Sequence, residues 1–99
     1  MLALVAGCAG APPPVVTPAH EAWARQQWSD HSPGELAAGR DRFQVQCARC
    51  HRPPAPSLLS AEEWPAEVAE MGVLGEIAAQ ELRVIERYLV AVTSAAPTP

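Results

Sequence analysis

The segment Cys47-Ala48-Arg49-Cys50-His51 places two thiols three positions apart, with an imidazole directly after the second. Two thiols on one helical turn can each add to a vinyl group of a flat macrocycle, which brings the adjacent imidazole within reach of a metal at its centre. C-x-x-C-H is the attachment sequence for c-type haem, so Cys47 and Cys50 are the candidate covalent anchors and His51 the proximal iron ligand. Two other chemistries use paired thiols. A thioredoxin-like redox pair needs its C-x-x-C at the start of a helix following a strand, where the helix dipole lowers the thiol pKa; here the pair ends a helical pattern. A zinc site needs four ligands, and no second close-spaced Cys/His pair exists, His20 and His31 being eleven residues apart in another region.

Helices must position these residues. Ser32-Pro33-Gly34-Glu35 reads as a capping box with Ser32 at the N-cap and Pro33 at the first helical position. Leu36, Gly39, Phe43 and Cys47 then recur at three- and four-residue spacing, which predicts a helix over about 33–48. The run 52–60, with three prolines, predicts an extended loop. Ser60 and Glu63 form a second capping box, Pro65 competes as a start nearer Trp64, and the helix that follows is expected to stop at Met71-Gly72, with Gly72 as its C-terminal glycine. A last helix over about 79–92 aligns Leu82, Ile85, Leu89 and Val92, with Tyr88 beside them. Thr17-Pro18 predicts a short helix reaching about Trp28, whose Trp23 and Trp28 are five apart and do not share a face. No period-two run is present, so the fold class is all-α.

The chain resembles the small single-haem cytochromes c, over about residues 34–92. In that family a glycine and an aromatic on the first helix precede the haem motif, and an aromatic-Leu pair lies on the last helix where the two cross; Gly39, Phe43, Tyr88 and Leu89 stand in matching places. A proline-containing loop after the histidine braces the proximal side, and Pro56-Ser57-Leu58 is similar to it. The resemblance implies a three-helix domain around one covalent haem c. It also implies Met71, the only methionine besides the initiator, as the distal ligand, the alternative being that Met71 fills core space. His31 is the best substitute ligand, with His20 further back. Trp64 would contact the haem edge or bond a propionate, or else be a core residue with its N–H toward solvent. The implied function is single-electron transfer between redox proteins rather than enzymatic catalysis. A haem sensor with an open distal site, or a haem subunit of a dehydrogenase complex, is the alternative.

The N-terminal Met-Leu-Ala-Leu-Val-Ala-Gly-Cys-Ala-Gly-Ala is an apolar run with small residues around a cysteine, to be set apart from the fold. Val5-Ala6-Gly7-Cys8 resembles the lipobox of bacterial lipoproteins, which implies cleavage before Cys8 and its lipidation. Only seven residues precede Cys8 and none is basic, a departure from that pattern; a secretory remnant or an unprocessed apolar end is the alternative. The expected organisation is a signal segment over 1–7, a proline-rich tether over 8–32 containing the short helix, the cytochrome c domain over 33–93 and a tail over 94–99. The expected location is periplasmic or on the outer face of a membrane.

With 99 residues, 11 Asp plus Glu against seven basic residues and a net charge of −4, the composition disfavours a nucleic-acid partner, which needs a basic stripe. The one basic grouping, Arg40, Arg42, Arg49 and Arg52, reads as a solvated helix face or as a docking patch for an acidic redox partner. Glu62, Glu63, Glu67 and Glu70 read as a solvated face. No apolar run reaches the about 18 residues of a membrane span. A domain of about 60 residues has too little core to be secure alone, so the apo chain is expected to be largely unfolded.

Overall fold

A computed structural model describes residues 12–94 and is all-α, with no strand among the described residues. Helices α1 (Pro18–Gln27), α2 (Glu35–Cys47), α3 (Trp64–Gly75) and α4 (Ala79–Thr93) follow in order, and a single 3₁₀ turn, Pro56–Leu58, lies between α2 and α3. Cys8 and the whole signal segment 1–7 lie outside the described residues, as does most of the expected tail.

Local chemistry explains most helix boundaries. Thr17 caps α1 reciprocally with His20: the Thr17 Oγ1 accepts from the His20 amide at 3.2 Å, and His20 Nδ1 accepts from the Thr17 amide at 2.9 Å. At α2 the expected start is corrected. Gly34 adopts φ +86°, outside the range a helix can pass through, so Ser32-Pro33-Gly34 forms a turn and the helix begins at Glu35. Only half of that box survives, the Ser32 amide donating to Glu35 Oε1 at 3.4 Å. At α3 both competing signals operate. Ser60 and Glu63 exchange bonds of 2.9 and 3.3 Å around a turn, and the helix proper starts one residue later with Pro65 in its first turn.

Gly72 is not the stop expected of it. Helix α3 continues to Gly75 and ends at Glu76, in the left-handed region with φ 54°, while the Ile77 amide closes back on the Gly72 carbonyl at 3.0 Å. Gly72 is instead a buried contact glycine, since a Cβ there would collide with the side chain of Leu82.

Helix α4 is the hub, touching α1, α2, α3 and the 3₁₀ turn. Its crossing with α2 is closest at Gly39, where a Cβ would lie 2.7 Å from the Val84 carbonyl carbon and 2.8 Å from Tyr88 Cβ. The main core joins Phe43 of α2, Trp64 and Val68 of α3, and Ile85, Tyr88 and Leu89 of α4. Phe43 meets Trp64 edge-on at 6.5 Å and Tyr88 at 6.2 Å. Burying each large apolar side chain contributes about 1.5–3 kcal/mol.

A second core corrects the expected tether. Ala24 of α1 packs with Leu36 and Ala91, flanked by Val16, Trp23 and Trp28. Trp28 lies just past α1 in extended backbone, so the chain folds it back against Trp23, with ring centroids 5.4 Å apart. The proline run is held too. Arg40 donates to the carbonyls of Pro13 at 2.9 Å and Pro14 at 3.1 Å, and the Tyr88 hydroxyl donates to Pro14 at 2.5 Å. Burial pushes the Tyr88 hydroxyl pKa up to about 12, so it remains a donor at all ordinary pH. Segment 12–32 is therefore part of the folded unit, not a spacer in front of it.

Candidate functional site

Helix α2 ends at Cys47 and the chain turns through Ala48-Arg49-Cys50, the Arg49 amide returning to the Gln46 carbonyl at 3.3 Å. Arg49 Nη1 spans from Gln46 Oε1, at 2.6 Å, to the Gly75 carbonyl, at 3.1 Å. The end of α2 is thereby tied to the end of α3, the two elements that carry the candidate ligands.

His51 follows with an exposed ring whose Nδ1 lies 2.9 Å from the Arg52 carbonyl. A carbonyl only accepts, so Nδ1 carries the proton and the lone pair of Nε2 is left free for a metal. From there Pro53 and Pro54 carry the chain to the 3₁₀ turn, where Pro56 is buried.

Cys47, His51, Trp64 and Met71 line one cleft, about 460 Å³ with its mouth included. Its other walls are mainly apolar: Phe43, Val68, Leu82, Ile85 and Leu89, with Pro54 and Ile77 at the edges. Met71 is half-buried on α3, four residues after Glu67 and seven after Trp64, so all three share a helical face. The donor types and the apolar walls suit a flat macrocycle ligated by imidazole and thioether, with Cys47 the one thiol of the pair that lines the cleft.

Several expected site residues take other roles. Trp64 is 3% exposed and its indole N–H donates to the Pro56 carbonyl at 2.8 Å. The N–H is thus committed neither to a propionate nor to solvent. Pro56 serves the site through that carbonyl, and it is Pro54 that borders the cleft. Cys50 is exposed and outside the cleft lining.

His31 does not reach the cleft. Its Nε2 lies 2.7 Å from Glu21 and its Nδ1 3.2 Å from Glu35, so both ring nitrogens are occupied by carboxylates at the far end of the molecule. His20 Nδ1 is engaged by Thr17. The His31 substitution for Met71 is therefore corrected by geometry.

The arginine grouping is also broken up. Arg40 holds the proline run, Arg42 pairs with Glu81 at 2.5 Å, and Arg49 bridges Gln46 and Gly75. Donation from Gln46 and then Arg42 holds the Glu81 carboxyl below the usual range. Only Arg52 keeps an exposed side chain with no side-chain hydrogen bond among those formed within the described residues.

Glu67 is the residue that sequence reasoning missed. Read as one of a solvated row, it is half-buried and borders the cleft. The signal was its position three after Trp64 and four before Met71.

Burial pushes the Cys47 thiol pKa up, and the thiol sits at the negative end of the α2 dipole. Both effects oppose the thiolate that a redox dithiol requires. Nor do the described residues gather three or more His, Cys, Asp or Glu side chains into a group that could hold a metal ion, as zinc would need. No helix among the described residues is long and apolar enough to cross a membrane. Comparison with family models, with curated proteins and with solved structures found no match to this chain.

Proposed function

We propose that this chain is a single-haem c-type cytochrome that passes single electrons between redox proteins, lipid-anchored through Cys8 on the exported side of a bacterial membrane. The observation that carries the reading is that Cys47, His51 and Met71, contributed by the end of α2, the following loop and α3, border one apolar cleft.

Haem, when bound, supplies a one-electron iron couple. Cys47 and Cys50 would hold it through thioethers, and His51 Nε2 and the Met71 sulfur would ligate its iron, a pairing that raises the potential relative to bis-histidine ligation. The Arg52 carbonyl fixes the His51 tautomer. Phe43, Val68, Ile85 and Leu89 would shield it from water, and Glu67 is the one carboxylate that lines the cleft. No catalytic proton donor or nucleophile is required of such a carrier.

The test is visible spectroscopy of the full chain expressed with haem-maturation machinery. A pyridine haemochrome signal for haem c, a Met–iron charge-transfer band in the oxidised form and no spectral change when carbon monoxide meets the reduced form support the carrier. Ready carbon monoxide binding would make it a sensor with an open distal site. No haem at all would sink the reading.

A further inference from the structure

The proline run and the loop after His51 face each other across a broad surface groove. Pro12, Pro13 and Pro14 form one wall, and residues 52–60 form the other. The chain carries 11 Asp plus Glu, yet none of them lines this groove, whose only charged residue is Arg52. Leu58, 69% exposed, stands on its rim, and Val15, 67% exposed, directly follows the proline wall.

Among the described residues, the first held to the fold by a hydrogen bond is Pro13, through Arg40, and the next is Pro14, through Arg40 and Tyr88. Only the five residue steps from Cys8 to Pro13 precede that point, a reach of at most about 18 Å. Were the strap absent, the first packed residue among those described would be Val16, eight steps or about 29 Å from Cys8.

We infer that this proline-walled face, whose groove no acid lines, is where the protein rests on the bilayer that holds the Cys8 lipid, with Arg40 and Tyr88 as the strap that presents it. The inference rests on the lipid anchor proposed above. The short reach keeps the face at the membrane. Exposed Leu58 and Val15 then enter the interfacial region and Arg52 meets anionic headgroups, while the acid Glu63 is engaged by the Ser60 amide at the end of the wall. The groove meets the haem cleft at Phe43 and Pro54, which line both, so the membrane side closes off that end and redox partners approach from elsewhere.

Hydrogen exchange on the full haem-loaded chain tests this, in vesicles of phosphatidylethanolamine and phosphatidylglycerol. The amides of residues 57–60 should exchange several-fold more slowly in the lipidated protein than in the Cys8→Ser protein mixed with the same vesicles. Arg40→Ala, a half-exposed position whose loss spares the core, should still float with the vesicles but lose most of that protection. Lipidated protein that floats yet exchanges at 57–60 as fast as Cys8→Ser, or Arg40→Ala that keeps full protection, overturns the docking face while leaving the anchor standing. An N-terminal peptide whose mass shows no acyl group on Cys8 overturns the anchor, and the face with it.

Discussion

Trp64 Nε1 donates to the Pro56 carbonyl at 2.8 Å, both residues being buried. This single bond pins the loop that carries His51 to the first turn of α3, the helix that carries Met71. The two candidate ligands are thus held in relation to each other by a contact neither of them makes.

Trp64→Phe keeps an aromatic in the core but leaves the Pro56 carbonyl with only the longer bond from the Leu59 amide, at 3.4 Å. The expected cost is about 0.5–1.5 kcal/mol, read from the urea midpoint. Faster exchange of the Leu58 and Leu59 amides should accompany it, because their turn loses its brace. Unchanged exchange there would mean that the loop is held by other means.

Gly39→Ala and Gly72→Ala should differ in severity. At Gly39 the new Cβ meets the Val84 backbone and Tyr88 Cβ, which cannot move without separating α2 from α4; at Gly72 it meets the tip of Leu82, which can change rotamer. Overpacking costs about 1–3 kcal/mol, and Gly39→Ala should lie at or above the top of that range, with Gly72→Ala well below it. Thermal melts of the two variants make the comparison.

Burial holds the His20 pKa below its ordinary value near 6.5. The unfolded chain therefore takes up the proton first, so His20's contribution is complete above about pH 6.5 and is lost as pH falls from there through the folded pKa. Protonation also removes the Nδ1 acceptor that caps α1. Urea midpoints measured from pH 8 to 5 should fall less steeply for His20→Gln than for the native chain. At lower pH, Asp30, held down chiefly by donation from Arg87, and Glu81 add a further loss as they protonate.

In the haem-loaded protein Met71→Ala should abolish the charge-transfer band, lower the potential and open the iron to carbon monoxide. His31→Ala should change none of these, because His31 is occupied by Glu21 and Glu35. An effect on the iron spectrum from His31→Ala and none from Met71→Ala would reverse the ligand assignment.

Glu67→Gln removes the one carboxylate bordering the cleft. A nearby negative charge favours the oxidised iron, so the potential should rise, by up to about 40 mV if the interaction is worth about 1 kcal/mol. A downward shift in redox titration would contradict the charge argument.

The helices were legible where their signals were local. Thr17-Pro18, Ser60 with Glu63 and Pro65, and the apolar face of α4 act through neighbours three or four residues away, and each appears in the structure. Gly72 misled because a glycine in a helix reads the same whether it ends the helix or lets a neighbour in, and only the position of Leu82 distinguishes them. Glu67 misled because a row of four acids looks solvated until the cleft is placed beside one of them.

The sequence by itself determined the all-α class, the C-x-x-C-H constellation at the end of a helix and the spacing of Trp64 and Met71 on the next, since those depend on residues within a few turns. Only the tertiary structure decided that Glu67 joins the cleft, that the Trp64 N–H goes to Pro56 and that His31 lies far from it. It likewise decided that the proline run is strapped to Arg40 and Tyr88 rather than free. The Tyr88–Pro14 bond spans 74 residues, and a contact of that range exists only once α2 and α4 cross at Gly39 and set which side chains face one another.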